Sequence, residues 1–147
     1  MARVEASTLI RAPLDQVYTV AKRVEDFPRF MPDLERVTVL ERAGDVPTAT
    51  EWVGVVEGRK IRWIEDDVWD DARHVCRFRQ RDGDFERYEG EWTFQPEGDG
   101  TRTAIAVEFE FGIPLIGGLL SQLLRVKMKE NLDGMLAALR GQLETPR

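Results

Sequence analysis

Short segments in which apolar and polar residues alternate fill the middle of this chain, and turn-forming residues separate them. The pattern predicts strands over residues 34–42, 48–57, 59–70, 73–81, 84–94 and 102–111. Dipeptides typical of tight turns, such as Asp82-Gly83, stand between the segments. Strands joined by short turns pair antiparallel with their neighbours along the chain, so this region is predicted to form a meander sheet.

A long amphipathic helix follows the predicted strands. From Pro114 to Glu144 apolar residues recur at helical spacing, and most lysines and arginines lie on the other side of the helix. We expect the apolar stripe to pack on the sheet. Before the meander, residues 3 to 10 alternate as a further strand, Pro13 favours a helix start, and Pro28 and Pro32 restrict a second helix to about one turn. This order of elements predicts an α+β protein.

Composition restricts the class of protein. At 147 residues the chain suits one domain, residues 1–147, and its net charge of -6 disfavours a nucleic acid partner. Cys76 is the only cysteine, which excludes an internal disulfide and favours a reducing compartment. The first residues lack the apolar core of a signal peptide, and no apolar run reaches the length of a membrane span. We therefore expect a cytoplasmic protein.

Two acidic residues lie on the predicted inner face of the strand at 59–70. Trp63, Glu65, Asp67 and Trp69 share that face because side chains alternate along a strand. Two interpretations of the carboxylates are open. Either they lie near the mouth of a cavity, hydrated or paired with an arginine, or they are the few polar groups of an apolar pocket.

The candidate ligand-binding residues combine inward aromatic and polar side chains with an aromatic segment between two prolines. Asn131 interrupts the apolar stripe of the long helix, where it either meets a ligand or is satisfied by a backbone carbonyl. The segment Phe27 to Met31 either closes one end of a cavity or attaches the short helices to the sheet. The full set is Phe27, Phe30, Met31, Trp63, Glu65, Asp67, Phe78, Gln80, Tyr88, Trp92, Phe109 and Asn131.

The stretch from Gly112 to Leu120 is uncharged and rich in glycine and leucine, and it is too short to span a bilayer. Three interpretations are open for it. It is a buried helix start, a mobile mouth that admits ligand together with Phe27 to Met31, or an apolar patch that makes transient contact with a membrane or a second subunit. The chain is accordingly expected to be a monomer or a homodimer.

The chain offers few groups for covalent or metal chemistry. His74 is the only histidine, and its place near a strand start beside two aspartates favours an exposed, unspecialised role. Neither Ser7 nor Ser121 stands in a nucleophile motif, and Gly98-Asp99-Gly100 is a hairpin turn rather than a phosphate loop. No catalytic residue, metal site or cofactor is therefore predicted, and what remains is acid–base or shape-directed chemistry in a closed pocket.

Three motifs in this order resemble the START-like superfamily, and the resemblance covers nearly the whole chain. It implies a helix-grip fold, in which a seven-stranded curved antiparallel sheet wraps around a long C-terminal helix, with two short helices after the first strand. It also implies a cavity between sheet and helix. The motifs are Ile10-Arg11-Ala12-Pro13 followed by Val17-Tyr18, the segment 24–32, and Tyr88-Glu89-Gly90-Glu91-Trp92-Thr93-Phe94 with the Gly100-Thr101 hairpin.

Within that superfamily the chain resembles coenzyme Q-binding proteins and polyketide cyclases. The first resemblance implies carriage of an isoprenoid quinone or lipid without turnover. The second implies an aromatase/cyclase that folds a poly-β-keto chain, but those enzymes, as aligned here, have an inward arginine where this chain has Asp67. An anion cannot stabilise a developing enolate as a cation would. We therefore expect binding or transport of a hydrophobic small molecule, with a cyclase/dehydrase and a non-catalytic partner-binding module as alternatives.

Overall fold

The computed structural model describes residues 2–56, 58–111 and 118–144, without the side chains of residues 56 and 118–121. Within these residues the chain forms seven strands, two α-helices and one 3-10 helix. In chain order they are β1 (Ala2–Ile10), α1 (Leu14–Lys22), the 3-10 helix (Val24–Arg29), β2 (Leu34–Ala43), β3 (Val46–Val56), β4 (Arg59–Asp70), β5 (Val75–Gly83), β6 (Phe85–Glu97), β7 (Gly100–Phe111) and α2 (Gly118–Glu144).

The seven strands form one sheet in the order β1-β7-β6-β5-β4-β3-β2. Every neighbouring pair is antiparallel, so β2 to β7 are the predicted meander and β1 extends it beyond β7. Leu132, Leu136 and Leu139 of α2 are buried in the same core cluster as the inner side chains of the sheet. The predicted helix-grip fold is confirmed.

The short helices are attached to the sheet through apolar side chains. Pro13 directly precedes α1, and its carbonyl accepts hydrogen bonds from the main-chain N–H groups of Gln16 and Val17. In the segment that follows, Phe27 is 1% exposed and its ring lies 6.0 Å from that of Trp52, centroid to centroid. The 3-10 helix is therefore held against the inner face of the sheet.

Gly90 allows β6 and β7 to approach each other closely. A Cβ atom at this position would clash with the carbonyl oxygen of Ala106 and lie 2.8 Å from the ring of Phe78. The space left by the missing side chain is therefore occupied by Phe78 and by the neighbouring strand. This packing gives Phe78 its place on the inner face.

Several expectations concern residues outside this description. Residues 112–117 and the C-terminal residues 145–147 lie outside the described residues, and the side chains of residues 118–120 are not described. The three interpretations of the stretch from Gly112 to Leu120 therefore stay predictions. In the described part of the chain, no helix is long and apolar enough to cross a bilayer.

A candidate ligand cavity between the sheet and the C-terminal helix

A cavity of about 80 Å³ lies between the inner face of the sheet and α2. That volume holds a few water molecules, whereas sites for drug-sized ligands start at about 300 Å³. Its walls must therefore move before a larger molecule enters. The lining residues are Asp33, Leu34, Trp52, Gly54, Val55, Ile61, Trp63, Glu65, Phe78, Phe85, Tyr88, Trp92, Ile105, Phe111, Leu124, Lys127, Met128, Asn131, Leu132 and Met135.

Stacked aromatic side chains form the sheet side of the cavity. Trp52 and Trp63 stand directly opposite each other on β3 and β4, and their rings stack with centroids 5.9 Å apart. The ring of Tyr88 lies 5.1 Å from that of Trp63, and Phe85 continues the series at 4.6 Å from Tyr88. Such contacts add to the stability gained by burying the rings. This wall therefore consists of aromatic rings from three strands that contact one another in series.

A buried pair of carboxyl groups interrupts the apolar sheet wall. Glu65 is 5% exposed and Asp67 is 8% exposed, and a hydrogen bond links the two groups. The indole N–H of Trp63 donates to Oε1 of Glu65 over 2.8 Å. On the other side, the Thr50 hydroxyl donates to Oδ2 of Asp67 over 2.7 Å, and it accepts a hydrogen bond of the same length from the indole of Trp52.

Burial is the main reason that both carboxyl groups hold protons more tightly than usual. It raises the pKa of Glu65 well above its ordinary value, and the charge of Asp67 raises it further. Burial also raises the pKa of Asp67, although its hydrogen bonds with Glu65 and Thr50 act in the opposite direction. Because two close carboxylates cannot both ionise easily, burial and mutual repulsion favour a single proton shared by the pair.

The interpretation that places these carboxylates near the cavity mouth, hydrated or paired with an arginine, is not supported by their burial. Among the described residues, no ion pair joins either group to a lysine or arginine. The arginines lie on the outer face, where Arg62 pairs with Glu51 at 2.6 Å and Arg81 pairs with Asp66 at 2.5 Å. Each outer side chain alternates with an inner one along its strand, so the cations cannot reach the inner face.

The helix side of the cavity carries the remaining polar groups. Asn131 lines the cavity, and no hydrogen bond of its side chain to another described residue is found. Lys127 also lines it, one turn earlier, and its ammonium lies 3.4 Å from a carboxylate oxygen of Glu130. Met128 and Met135 fill the space around these groups with flexible side chains.

The two halves of α2 are held to the sheet unequally. Leu132 and Leu136 in the second half are each 2% exposed, whereas Leu124 in the first half is only partly buried. Leu123 and Val126, also in the first half, are about half exposed. Among the described side chains of α2, those of the first half are therefore less buried than those of the second half.

Six of the predicted site residues line the cavity, and six do not. Gln80 is engaged elsewhere, because its amide nitrogen donates to the carbonyl of Phe85 over 2.8 Å and its amide oxygen accepts from the Phe85 N–H over 3.3 Å. Asp67 is buried but does not line the cavity. The lining six are Trp63, Glu65, Phe78, Tyr88, Trp92 and Asn131, while Phe27, Phe30, Met31, Asp67, Gln80 and Phe109 lie outside the lining.

The aromatic residues outside the lining have a packing role. Phe27 and Met31 are almost fully buried in the core, and Phe30 packs against the ring of Phe27 at 5.9 Å. Phe109 is buried between Phe85 and Phe111. The interpretation of Phe27 to Met31 as a lid is not supported by this geometry, since these side chains fill the core instead of facing the cavity.

Sequence reasoning missed several lining residues. Trp52 is the largest of them, and the signal that could have found it is its cross-strand position opposite Trp63. Lys127, Met128 and Met135 flank Asn131 at helical spacing, so they share its side of α2. Gly54 could not have been inferred, because it lines the cavity only through its main chain.

Comparisons with known proteins agree with this geometry. The family described as polyketide cyclase / dehydrase and lipid transport matches residues 10–136. A candidate polyketide cyclase from Streptomyces halstedii is 33% identical over 98 residues, which cover 64% of this chain and 90% of that protein. The crystal structure of TTHA0849 from Thermus thermophilus superposes with a TM-score of 0.90, at 38% identity over 97% of both chains.

A more distant structure shares the fold. The Zhui aromatase/cyclase from a Streptomyces species has a TM-score of 0.82 at 21% identity, over 97% of this chain and 93% of that one. At this identity the likeness concerns the fold alone. Since the family match spans most of the sequence, this chain belongs to the polyketide cyclase/dehydrase and lipid transport family.

Proposed function

We propose that the protein binds a hydrophobic small molecule in the cavity between the sheet and α2 and carries it without turnover. The observation that supports this most directly is a cavity wall of stacked aromatic rings broken by one buried carboxyl pair. Such a composition, mostly apolar with a few convergent polar groups, is typical of small-molecule sites. The family to which the chain belongs includes lipid transport, in agreement with the proposal.

Ligand entry requires the cavity to widen, and the first half of α2 is the wall that moves in this proposal. The aromatic wall offers a fixed surface, while the methionines of α2 adapt to the shape of the ligand. Lipids, isoprenoid quinones and polyketide-like molecules all fit this description.

The first test is to purify the protein under native conditions, record its native mass spectrum and extract it with organic solvent. The proposal expects an apolar molecule to accompany the protein in a one-to-one ratio. A complementary test titrates the stripped protein with the neutral fluorescent probe N-phenyl-1-naphthylamine, whose emission rises in apolar surroundings.

A cavity-filling variant makes the test specific. At Gly54 an added Cβ atom would lie 3.5 Å from its nearest neighbour, the carbonyl oxygen of Asp33, so a larger side chain enters the cavity without a main-chain clash. Gly54→Leu is expected to abolish probe binding. Gly134→Leu is the matched control, because no atom lies within 4 Å of a Cβ there, and this variant is expected to bind the probe normally.

A second candidate function is that of a cyclase/dehydrase acting on a polyketide-like substrate. The family match favours it, as does a carboxyl group of Glu65 that keeps its proton at the cavity wall. In this alternative the proton of Glu65 turns from Asp67 toward a substrate oxygen, to which the acid then donates a hydrogen bond. The test is incubation with a poly-β-keto thioester analogue: a cyclised product that Glu65→Gln no longer forms would favour the enzyme, and recovery of unchanged ligand would favour the carrier.

A partner-binding module without a ligand is the third alternative. It expects no extracted molecule and no difference between Gly54→Leu and Gly134→Leu. Either of those results would overturn the proposed carrier function.

A further inference from the structure

We propose that the Glu65–Asp67 pair makes the cavity selective for neutral amphiphiles that donate a hydrogen bond, such as alcohols and phenols, and makes it reject carboxylates. This inference rests on the proposed ligand-binding function and adds to it the chemical class of the ligand. It follows from the hydrogen-bond donors that the pair has already used and from the charge that the pair keeps.

Three side-chain donors form hydrogen bonds to the pair or to the hydroxyl that contacts it. The Trp63 indole donates to Glu65, the Thr50 hydroxyl donates to Asp67, and the Trp52 indole donates to Thr50. The hydrogen bond between the two carboxyl groups uses the proton that their burial favours. Only acceptor positions are then left on the oxygens of Glu65, the member of the pair that lines the cavity. A ligand group that meets Glu65 therefore has to donate a hydrogen bond.

The charge of the pair disfavours anionic ligands. One shared proton leaves a single negative charge on two carboxyl groups, and no described lysine or arginine forms an ion pair with either group. A ligand carboxylate in the cavity would face this charge across an apolar medium, where repulsion is stronger than in water. Lys127, the cation in the described lining, already has Glu130 as an ion-pair partner at 3.4 Å.

Neutral donors are favoured over ammonium groups for a different reason. An ammonium group loses its hydration in an apolar cavity, and one carboxyl oxygen does not replace three hydrogen bonds to water. A hydroxyl group needs a single acceptor, which Glu65 provides. The aromatic rings then contact the hydrocarbon part of the ligand.

The test compares three ligands of equal chain length: decan-1-ol, decanoate and decylamine. Each displaces N-phenyl-1-naphthylamine from the stripped protein at about pH 7, where the acid and the amine are charged. Decan-1-ol is expected to displace the probe at a concentration roughly tenfold lower than decanoate, as expected for repulsion between two charges in a partly polar interior. Decylamine is expected to bind no more tightly than decan-1-ol.

Three variants separate charge from other effects. Asp67→Asn removes the carboxylate of the pair that does not line the cavity, and burial still raises the pKa of Glu65, so the preference for the alcohol over decanoate should weaken. Glu65→Gln keeps both the hydrogen-bond pattern and the charge on Asp67, so the preference should persist. Asp66→Asn makes the same change as the first variant on the outer face, beside Arg81, and should leave the preference unchanged.

The outcomes are distinct. Equal displacement by decan-1-ol and decanoate in the unmodified protein would overturn this inference while leaving the proposed function intact. Tighter binding of decylamine would also overturn it, because the pair would then act as the counter-anion of a cationic ligand. If neither the probe nor any ligand binds, the proposed function fails and this inference fails with it. The comparison in the unmodified protein decides the matter even if Asp67→Asn does not fold.

Discussion

The buried carboxyl pair makes a quantitative prediction about stability and pH. The variant that tests it is Glu65→Gln. This substitution keeps an acceptor for the Trp63 indole and a donor toward Asp67, but it removes one titrating group. Because burial raises the pKa of Glu65 in the folded protein, the folded state keeps its proton at pH values where the unfolded chain has lost it. Folding stability that depends on Glu65 is thus fully present at low pH and falls as pH rises.

The size of the effect follows from proton linkage. Glutamate in an unfolded chain titrates near about pH 4.3, so just above about pH 5 most unfolded chains have lost this proton. The free energy of unfolding of the unmodified protein should therefore fall by about 1 kcal/mol per pH unit relative to that of Glu65→Gln. The fall ends at the raised pKa of Glu65, above which both states are ionised and the difference is constant.

Other titrating groups near the pair do not change protonation in the pH range between the ordinary and the raised pKa of Glu65. Tyr88 and Cys76 face the pair, and burial together with the nearby carboxylates raises the pKa of each, so both stay neutral throughout. Asp67 is present in both proteins, so the difference reports the group removed at position 65 together with its coupling to Asp67. The assay is urea unfolding at half-unit steps of pH, with Asp66→Asn as the control for an outer carboxylate of the same strand. A difference between the unmodified protein and Glu65→Gln that stays flat above pH 5 would refute the reasoning.

Three further predictions concern packing. Leu136→Ala should lower the free energy of unfolding in urea by about 2–5 kcal/mol, because Leu136 is 2% exposed. The control Leu123→Ala should change that free energy by less than about 0.5 kcal/mol, because the Leu123 side chain is 50% exposed. Gly90→Ala should destabilise the protein by about 1–3 kcal/mol in the same assay, since its Cβ meets a main-chain carbonyl of the neighbouring strand. Gly134→Ala, on the exposed side of α2, should instead stabilise the protein by roughly 0.5–1 kcal/mol. Cys76, 2% exposed with a raised thiol pKa, should resist alkylation in the native protein and react at the rate of a free thiol in denaturant, which mass spectrometry will show.

The pattern of residues by itself determined the order and the inner faces of the strands. Period-two alternation places Trp63, Glu65 and Asp67 on one side of β4, and short turns leave an antiparallel meander as the simplest pairing. The burial of Tyr88 and Trp92 on the inner face follows in the same way. These features are local, because they depend on side-chain direction along one strand and on the length of the turn after it.

Only the tertiary structure decided what each inner side chain contacts. The register of β3 against β4 puts Thr50 within hydrogen-bond distance of Asp67, so the carboxyl pair is satisfied without an arginine. The regular pairing of β5 with β6 ends at Arg79 and Glu89, and beyond it the Gln80 side chain binds the main chain of Phe85, which removes that side chain from the cavity. Register and irregularities of pairing arise from contacts between segments distant in sequence, which alternation along one strand does not encode.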